Sequence, residues 1–376
     1  MSTTEMQLVA DGARVEGRRK QRIVDCDVHQ TWRSFNELTD YLPAAWRHYV
    51  DETGLGGPPG TKALYPNIVG RNGTRFDAQP KDGAPAGSDI DLMRSQVLDD
   101  QGVEVAVLTG ALHNLSFMPN VGFQVALASA ANRWTADRWL DPEPRFRGSI
   151  VVPMQDPGAA AREIATWAAD ERFVQILIPA GSRMPYGQRF YWPVWEACAE
   201  HGVAVGMHFG GTGIAQPPTS VGWPSYYIEW HTNLSQAFQA HAVSFVCEGA
   251  FEEFKDLQVV MIEGGVAWLP HIMWRLDLNY RALRSEVPWL KRLPSEYIRD
   301  HISVTTQPLE EPPNPKDLVD LIRLAGATDM IMFASDYPHW DADAPTEIAR
   351  RLPEELRRKV MFDNAQRFYR LDLPQQ

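Results

Sequence analysis

Ile23-Val24-Asp25-Cys26-Asp27-Val28-His29 is a short apolar run that carries acids at alternate positions and ends on an aspartate and a histidine two residues apart. Side chains alternate along a strand, so a strand here puts Asp25, Asp27 and His29 on one face and Val24, Cys26 and Val28 on the other. Two later runs end in the same way: Val203-Ala-Val-Gly-Met-His208 and Met330-Ile-Met-Phe-Ala-Ser-Asp336. Each reads as a buried strand. In a parallel barrel the C-terminal ends of the strands converge on one face, which predicts that Asp27, His29, His208 and Asp336 meet in space. Two imidazoles and two carboxylates make a sensible nitrogen and oxygen shell for one divalent metal ion. A lone Asp-x-His could as well be a solvated strand end; three agreeing strand ends carry the metal reading.

Outward from these runs the chain alternates. After a strand at 104–108 come strands near 148–152, 173–178, 203–208, 257–263, 301–305 and 330–335. Helical patterns separate them, including one long helix expected over 229–249 and one over 267–283 that tolerates Pro270 only in its first turn. With the opening strand this gives about eight strand–helix units, the count of a (β/α)8 TIM barrel in the α/β class. The polar, Gly/Pro-rich stretch of about 31–90 is too long for an ordinary connection and reads as an insertion after the first strand, so the barrel is expected to be distorted. Residues 1–21 read as a flexible tail, and 22–376 as a single metal-dependent barrel domain.

Of the 376 residues 44% are hydrophobic and 22% charged, with a net charge of −12. That acidity argues against nucleic acid and anionic membranes as partners. No apolar run is long enough to span a bilayer, and Met1–Gln21 lacks the apolar centre of a signal peptide. Cys26, Cys198 and Cys247 form no CxxC, which points to reduced thiols in a cytoplasmic protein. No serine-hydrolase elbow and no phosphate loop is present.

Other residues extend the candidate site. Glu263 ends an apolar run before Gly264-Gly265; a buried, unpaired carboxylate there would be costly, so it is a general acid/base, a metal ligand, or the partner of an arginine such as Arg275. Asp336 can ligate the ion or take a proton from a metal-bound water. His339 is either substrate-facing or a support for Asp336. His113, Trp223, Tyr227 and His231 fall where the mouth of the barrel is expected and are candidate substrate contacts.

Taken together, Val24-Asp-Cys-Asp-Val-His29, Tyr191-Trp-Pro-Val-Trp, Glu200-His-Gly with His208, Ile262-Glu-Gly-Gly-Val-Ala-Trp-Leu-Pro and Ala334-Ser-Asp-Tyr-Pro-His resemble the amidohydrolase superfamily. The closest group is the amidohydrolase-related one that includes aminocarboxymuconate-semialdehyde decarboxylase. The resemblance implies a distorted TIM barrel with one divalent ion, zinc first and manganese or iron as alternatives. It matches the family ligands to Asp27, His29, His208 and Asp336, and extends to homodimers. It departs at Glu263, where many members carry a histidine; a glutamate would repel a substrate carboxylate unless protonated or paired.

The expectation that follows is a metal-dependent hydrolase of a small cyclic or aromatic substrate. Metal-activated water would attack an amide, ester, lactone or vinylogous C–C bond, with Asp336 and Glu263 as catalytic acids and bases. The alternatives are a metal-dependent non-oxidative decarboxylase, or hydratase, of an aromatic or muconate-type acid, and a barrel that only binds. Decarboxylation asks for a cationic clamp, for which Arg33, Arg47, Arg71 and Arg183 are candidates.

Overall fold

The computed structural model describes residues 21–57, 65, 73–214 and 217–373. Eight parallel strands pair in sequence order: β1 (Val24–Val28), β2 (Val105–Leu108), β3 (Phe146–Val151), β4 (Phe173–Pro179), β5 (Ala204–His208), β6 (Val259–Ile262), β7 (Ile302–Thr305) and β8 (Ile331–Met332). Each strand is short, β-branched-rich and almost wholly buried, as parallel strands covered on both faces must be. The first and last strands meet through backbone bonds beyond the end of β8: Cys26 N–H donates to the Phe333 carbonyl at 3.0 Å and Asp336 N–H to the Asp27 carbonyl at 3.1 Å. The fold is therefore a (β/α)8 barrel.

Helices pack outside it, and most begin with a local signal. Asp156, ahead of Pro157–Trp167, accepts from Ala159 N–H, and Asn314, ahead of Pro315–Ala325, accepts from Lys316 N–H. Pro270 lies in the first turn of Trp268–Leu283, where its missing N–H costs nothing. The single long helix expected over 229–249 is instead two, Tyr227–Thr232 and Ser235–Cys247. Asn233 breaks it by donating its side-chain amide to the Glu229 carbonyl at 2.6 Å.

The strict alternation expected of Asp25–His29 does not hold. The β1–β2 register shifts between Asp25 and Val28, and a bulge of this kind turns later side chains to the opposite face. Val24 and Cys26 pack with Val105, Val107, Val260 and Ile262, whereas Val28 joins the larger core between barrel and helices. Asp25 turns aside, and its carboxylate accepts from Ser335 N–H at 2.9 Å and Asp27 N–H at 3.2 Å. It thereby ties β1 to the chain just before Asp336.

The described part of the insertion is stitched to the barrel mouth. Thr31 N–H donates to the Gly87 carbonyl at 2.9 Å, Arg75 N–H to the Pro338 carbonyl at 2.9 Å and Trp340 N–H to the Gly73 carbonyl at 3.1 Å. Thr74 and His339 form an antiparallel bridge. Gly87 sits at φ +82°, and a Cβ there would run into the His29 carbonyl oxygen, so only glycine lets the insertion lie this close.

Candidate metal centre

Four strand ends deliver five polar side chains to one point. Asp27 lies in β1 and His29 one residue past it; His208 ends β5 and Glu263 follows β6; Asp336 sits in the loop after β8. His208 Nε2 is 3.2 Å from His29 Nε2, 3.4 Å from Asp27 Oδ1 and 3.3 Å from Glu263 Oε1. His29 Nε2 is 3.3 Å from Asp27 Oδ1, 3.6 Å from Glu263 Oε1 and 3.0 Å from Asp336 Oδ1. All five residues are buried.

The donor atoms of Asp27, His29, His208 and Glu263 lie within 4.8 Å of one another. An ion about 2.1 Å from each donor would space them by about 3.0–3.4 Å in octahedral or tetrahedral geometry, close to the observed separations. Asp27 Oδ2 is buried with no hydrogen-bond partner among the described residues, a costly state that an ion would relieve. The donor set thus fits a divalent metal. Asp336 falls in a second, overlapping group with His29, Glu263 and His339; its carboxylate accepts from, or shares a proton with, His339 Nδ1 at 2.5 Å. Glu263 thus joins the donors expected from sequence, and Asp336 stands beside them, its Oδ1 3.0 Å from His29 Nε2 and in contact with His339.

Glu263 and Asp336 both have left-handed backbones, with φ of 64° and 58°. Non-glycine residues adopt this region at a cost and persist there when the surroundings hold them. Thr305 Oγ1 accepts from Glu263 N–H at 3.2 Å, and the Asp27 carbonyl accepts from Asp336 N–H. The Arg275 pairing offered as an alternative for Glu263 is not formed, since Arg275 is on the exposed side of its helix.

Electrostatics follows from the packing. Burial works against a proton on His208, but Glu263 and Asp27 outweigh it and push its pKa up to about 10. Burial likewise opposes, and Asp27 more than restores, the proton on His29, which titrates well above the usual imidazole range. Burial would raise Glu263 and Asp27, but the two imidazoliums hold both well below ordinary carboxylates. Burial and Glu263 push Asp336 well up; burial and His29 bring His339 down to about 4. The metal-free centre near neutral pH thus holds two imidazoliums against two carboxylates. One divalent ion replacing the two imidazolium protons leaves that local charge unchanged.

Because metal competes with protons whose folded pKa values are raised, affinity rises with pH toward about 10 and falls as the solution is acidified. Calorimetric titration in buffers of different ionisation enthalpy should show about two protons released per ion at neutral pH; release of none would mean the histidines are not displaced.

Thr109, which sequence reading passed over, follows β2 directly and donates its hydroxyl to Asp27 Oδ1. Its position next to a strand end was the available signal. Thr109→Val should keep the fold and weaken metal binding about 10- to 100-fold, the usual effect of losing a support behind a ligand, as read by chelator competition.

The remaining expected contacts divide. Tyr227 is partly buried near the centre, and His231 pairs with Asp341, Nε2 to Oδ2, at 3.3 Å. Trp223 is 54% exposed and lines a separate hollow of about 490 Å³ with residues such as Val221, Pro224 and Ile228, none of them from the centre. The His113 side chain and Arg71 lie outside the described residues, as does the tail over 1–20. Arg33, Arg47 and Arg183 are exposed, and Arg33 pairs with Asp82 and Asp89. Among the described residues no arginine or lysine pairs with Asp27, Glu263 or Asp336.

Known proteins resemble this chain in sequence and fold. Gamma-resorcylate decarboxylase from Polaromonas sp. (strain JS666 / ATCC BAA-500) is 25% identical over 301 residues, 76% of this chain and 88% of that protein. The crystal structure of 5-carboxyvanillate decarboxylase from Sphingomonas paucimobilis matches with a TM-score of 0.63 at 25% identity, over 94% of this chain and all of that one (100%). A dihydroxybenzoic acid decarboxylase from Polaromonas sp. JS666, solved with manganese and 2-nitroresorcinol, has the same fold, with a TM-score of 0.63 at 20% identity over 94% and 98% of the two chains. The amidohydrolase family profile matches residues 24–371, from the first strand to the last helical turn, and the chain belongs to that family.

Proposed function

We propose that this protein is a metal-dependent, non-oxidative decarboxylase of an aromatic acid. The observation that carries the reading is its relationship, over three quarters of its length, to gamma-resorcylate decarboxylase, and this moves the balance away from the hydrolase expected from sequence. The objection raised by Glu263 loses its force, because His208 and His29 at 3.3 and 3.6 Å already take up its charge.

In this reading Asp27, His29, His208 and Glu263 hold one divalent ion, and Thr109 and Asp25 position β1. The carboxylate content of the set favours manganese over zinc. A divalent ion held by these residues would supply positive charge at the substrate's carboxylate end, the role sought from an arginine clamp. Asp336, held protonated by burial and Glu263, gives its proton to the ring carbon that bears the carboxylate. The C–C bond breaks as CO2 leaves, its electron pair restores the ring, and the Asp336 carboxylate regains a proton through His339, whose side chain is 37% exposed. Trp230, in ring contact with both Phe209 and Tyr227, forms with them an apolar wall for the ring.

The test is a panel of hydroxybenzoic acids, lactones and amides offered to protein loaded separately with manganese, zinc or iron. Release of one CO2 per aromatic product, with one deuterium incorporated at the vacated carbon in D2O, is expected. Turnover of a lactone or amide without CO2 release would return the hydrolase reading.

A further inference from the structure

The loop after β8 does more than supply Asp336. Its next residues touch, in series, the metal centre and the helix Tyr227–Thr232. His339 Nδ1 contacts Asp336 at 2.5 Å and lies 3.7 Å from Glu263 Oε1. Trp340 Nε1 donates to the Tyr227 hydroxyl at 3.4 Å. Asp341 Oδ2 lies 3.3 Å from His231 Nε2. The His231 ring is held between Tyr227, at 5.4 Å, and Trp340, at 6.0 Å between ring centroids. Burial first, then Asp341, Glu263 and Asp336, raise the Tyr227 hydroxyl above its ordinary range. The side chains of His231 and Asp341 are only 27% and 18% exposed.

We infer that His231, oriented by Asp341, is the base that receives a ring hydroxyl of the substrate at the edge away from the metal, and so selects phenolic acids. The inference rests on the decarboxylase reading above. With Nε2 turned to Asp341, Nδ1 has no hydrogen-bond partner among the described residues. An aspartate behind an imidazole fixes its tautomer and stabilises the imidazolium formed when it accepts a proton. Among the described residues no arginine or lysine pairs with the carboxylates of the centre, and the His231 imidazole, set by Asp341, is the group we assign to the far edge of the ring.

The step balances. His231 Nδ1 takes the hydroxyl proton, and the oxygen lone pair pushes electron density into the ring. The carbon bearing the carboxylate takes a proton from Asp336. The C–C bond breaks, its pair restores the aromatic phenolate, and CO2 leaves. His231 returns its proton to the oxygen, and Asp336 is reprotonated from solvent, so one proton is consumed per CO2. Asp341 touches no substrate and is a positioning residue.

The first experiment uses 4-nitrophenol, whose phenolate alone absorbs in the visible, with metal-loaded protein about one pH unit below the probe's own pKa. Wild-type protein should bind it largely as phenolate. His231→Phe and Asp341→Asn, at equal metal content by elemental analysis, should lose most of that absorbance and weaken binding about 10-fold, and Asp341→Glu should restore part of it. Phenolate absorbance unchanged in both variants would place the probe's oxygen on the metal and overturn the inference. The second compares a hydroxylated acid with its methoxy counterpart. His231→Phe should lower kcat/KM for the hydroxylated acid about 100-fold or more and leave the methoxy acid alone; equal losses on both would mean a purely structural role. If wild-type protein releases no CO2 from any aromatic acid, the decarboxylase reading falls, while the nitrophenol result still decides the role of the dyad.

Discussion

His208→Ala should purify as a folded barrel that carries less than about a tenth of an ion per chain and shows no turnover, since a structural donor set that loses a member loses most of its affinity. His208 is deeply buried, 2% exposed, and the one imidazole within 3.5 Å of both Asp27 and Glu263, with His29 3.2 Å away. Its removal takes a nitrogen from the shell and also leaves Asp27 and Glu263 with one imidazolium between them. The metal-free variant should therefore melt below the metal-free wild type, because buried carboxylates without a partner are destabilising. Elemental analysis of both proteins, purified without chelator, with circular dichroism as the check on folding, reads the result. About one ion per chain in the variant would remove His208 from the ligand set.

Glu263→Gln is the second large effect. The substitution keeps the shape of the side chain and removes one of the three carboxylates at the centre. Metal affinity should fall about 10- to 100-fold, the scale for weakening the surroundings of a site without removing an imidazole. With metal in excess the variant should load, and its turnover should still fall about 100-fold or more, as for loss of an electrostatic group facing developing charge. The reason lies in Asp336: Glu263 is the nearby charge that, after burial, raises its pKa, so the neutral glutamine lowers that pKa and weakens the supply of acid to the ring carbon. Unchanged turnover at full metal occupancy would make Glu263 a structural acid. Glu263→His, which installs the imidazole that many resembling proteins carry there, should shift the preferred ion from manganese toward zinc, because imidazole donors suit zinc.

Much of the architecture was readable along the chain because parallel barrel strands are short, apolar and buried on both faces, and that pattern survives without tertiary context. The eight strands appear within a few residues of their expected places, and β8 is shortened to Ile331–Met332. The long helix over 229–249 was misjudged because the competing bond is local but conformational: Asn233 caps one helix instead of continuing it. The barrel-mouth group was harder to read. Trp223 and Tyr227 are four residues apart, yet one lines an outer hollow and the other meets Trp340 in the loop after β8; spacing cannot distinguish them once the chain leaves regular structure.

The sequence by itself determined which residue types could bind a metal and that several of them end barrel strands, because both follow from side-chain chemistry and from a period that each strand carries within itself. Only the tertiary structure decided which donors form one compact group. The bulge in β1 turns Asp25 to the Ser335 backbone and Asp27 to the centre, and the left-handed backbones of Glu263 and Asp336 set one carboxylate beside His208 and the other between His29 and His339. Those choices depend on register and on contacts between residues up to 310 positions apart, which no local period encodes.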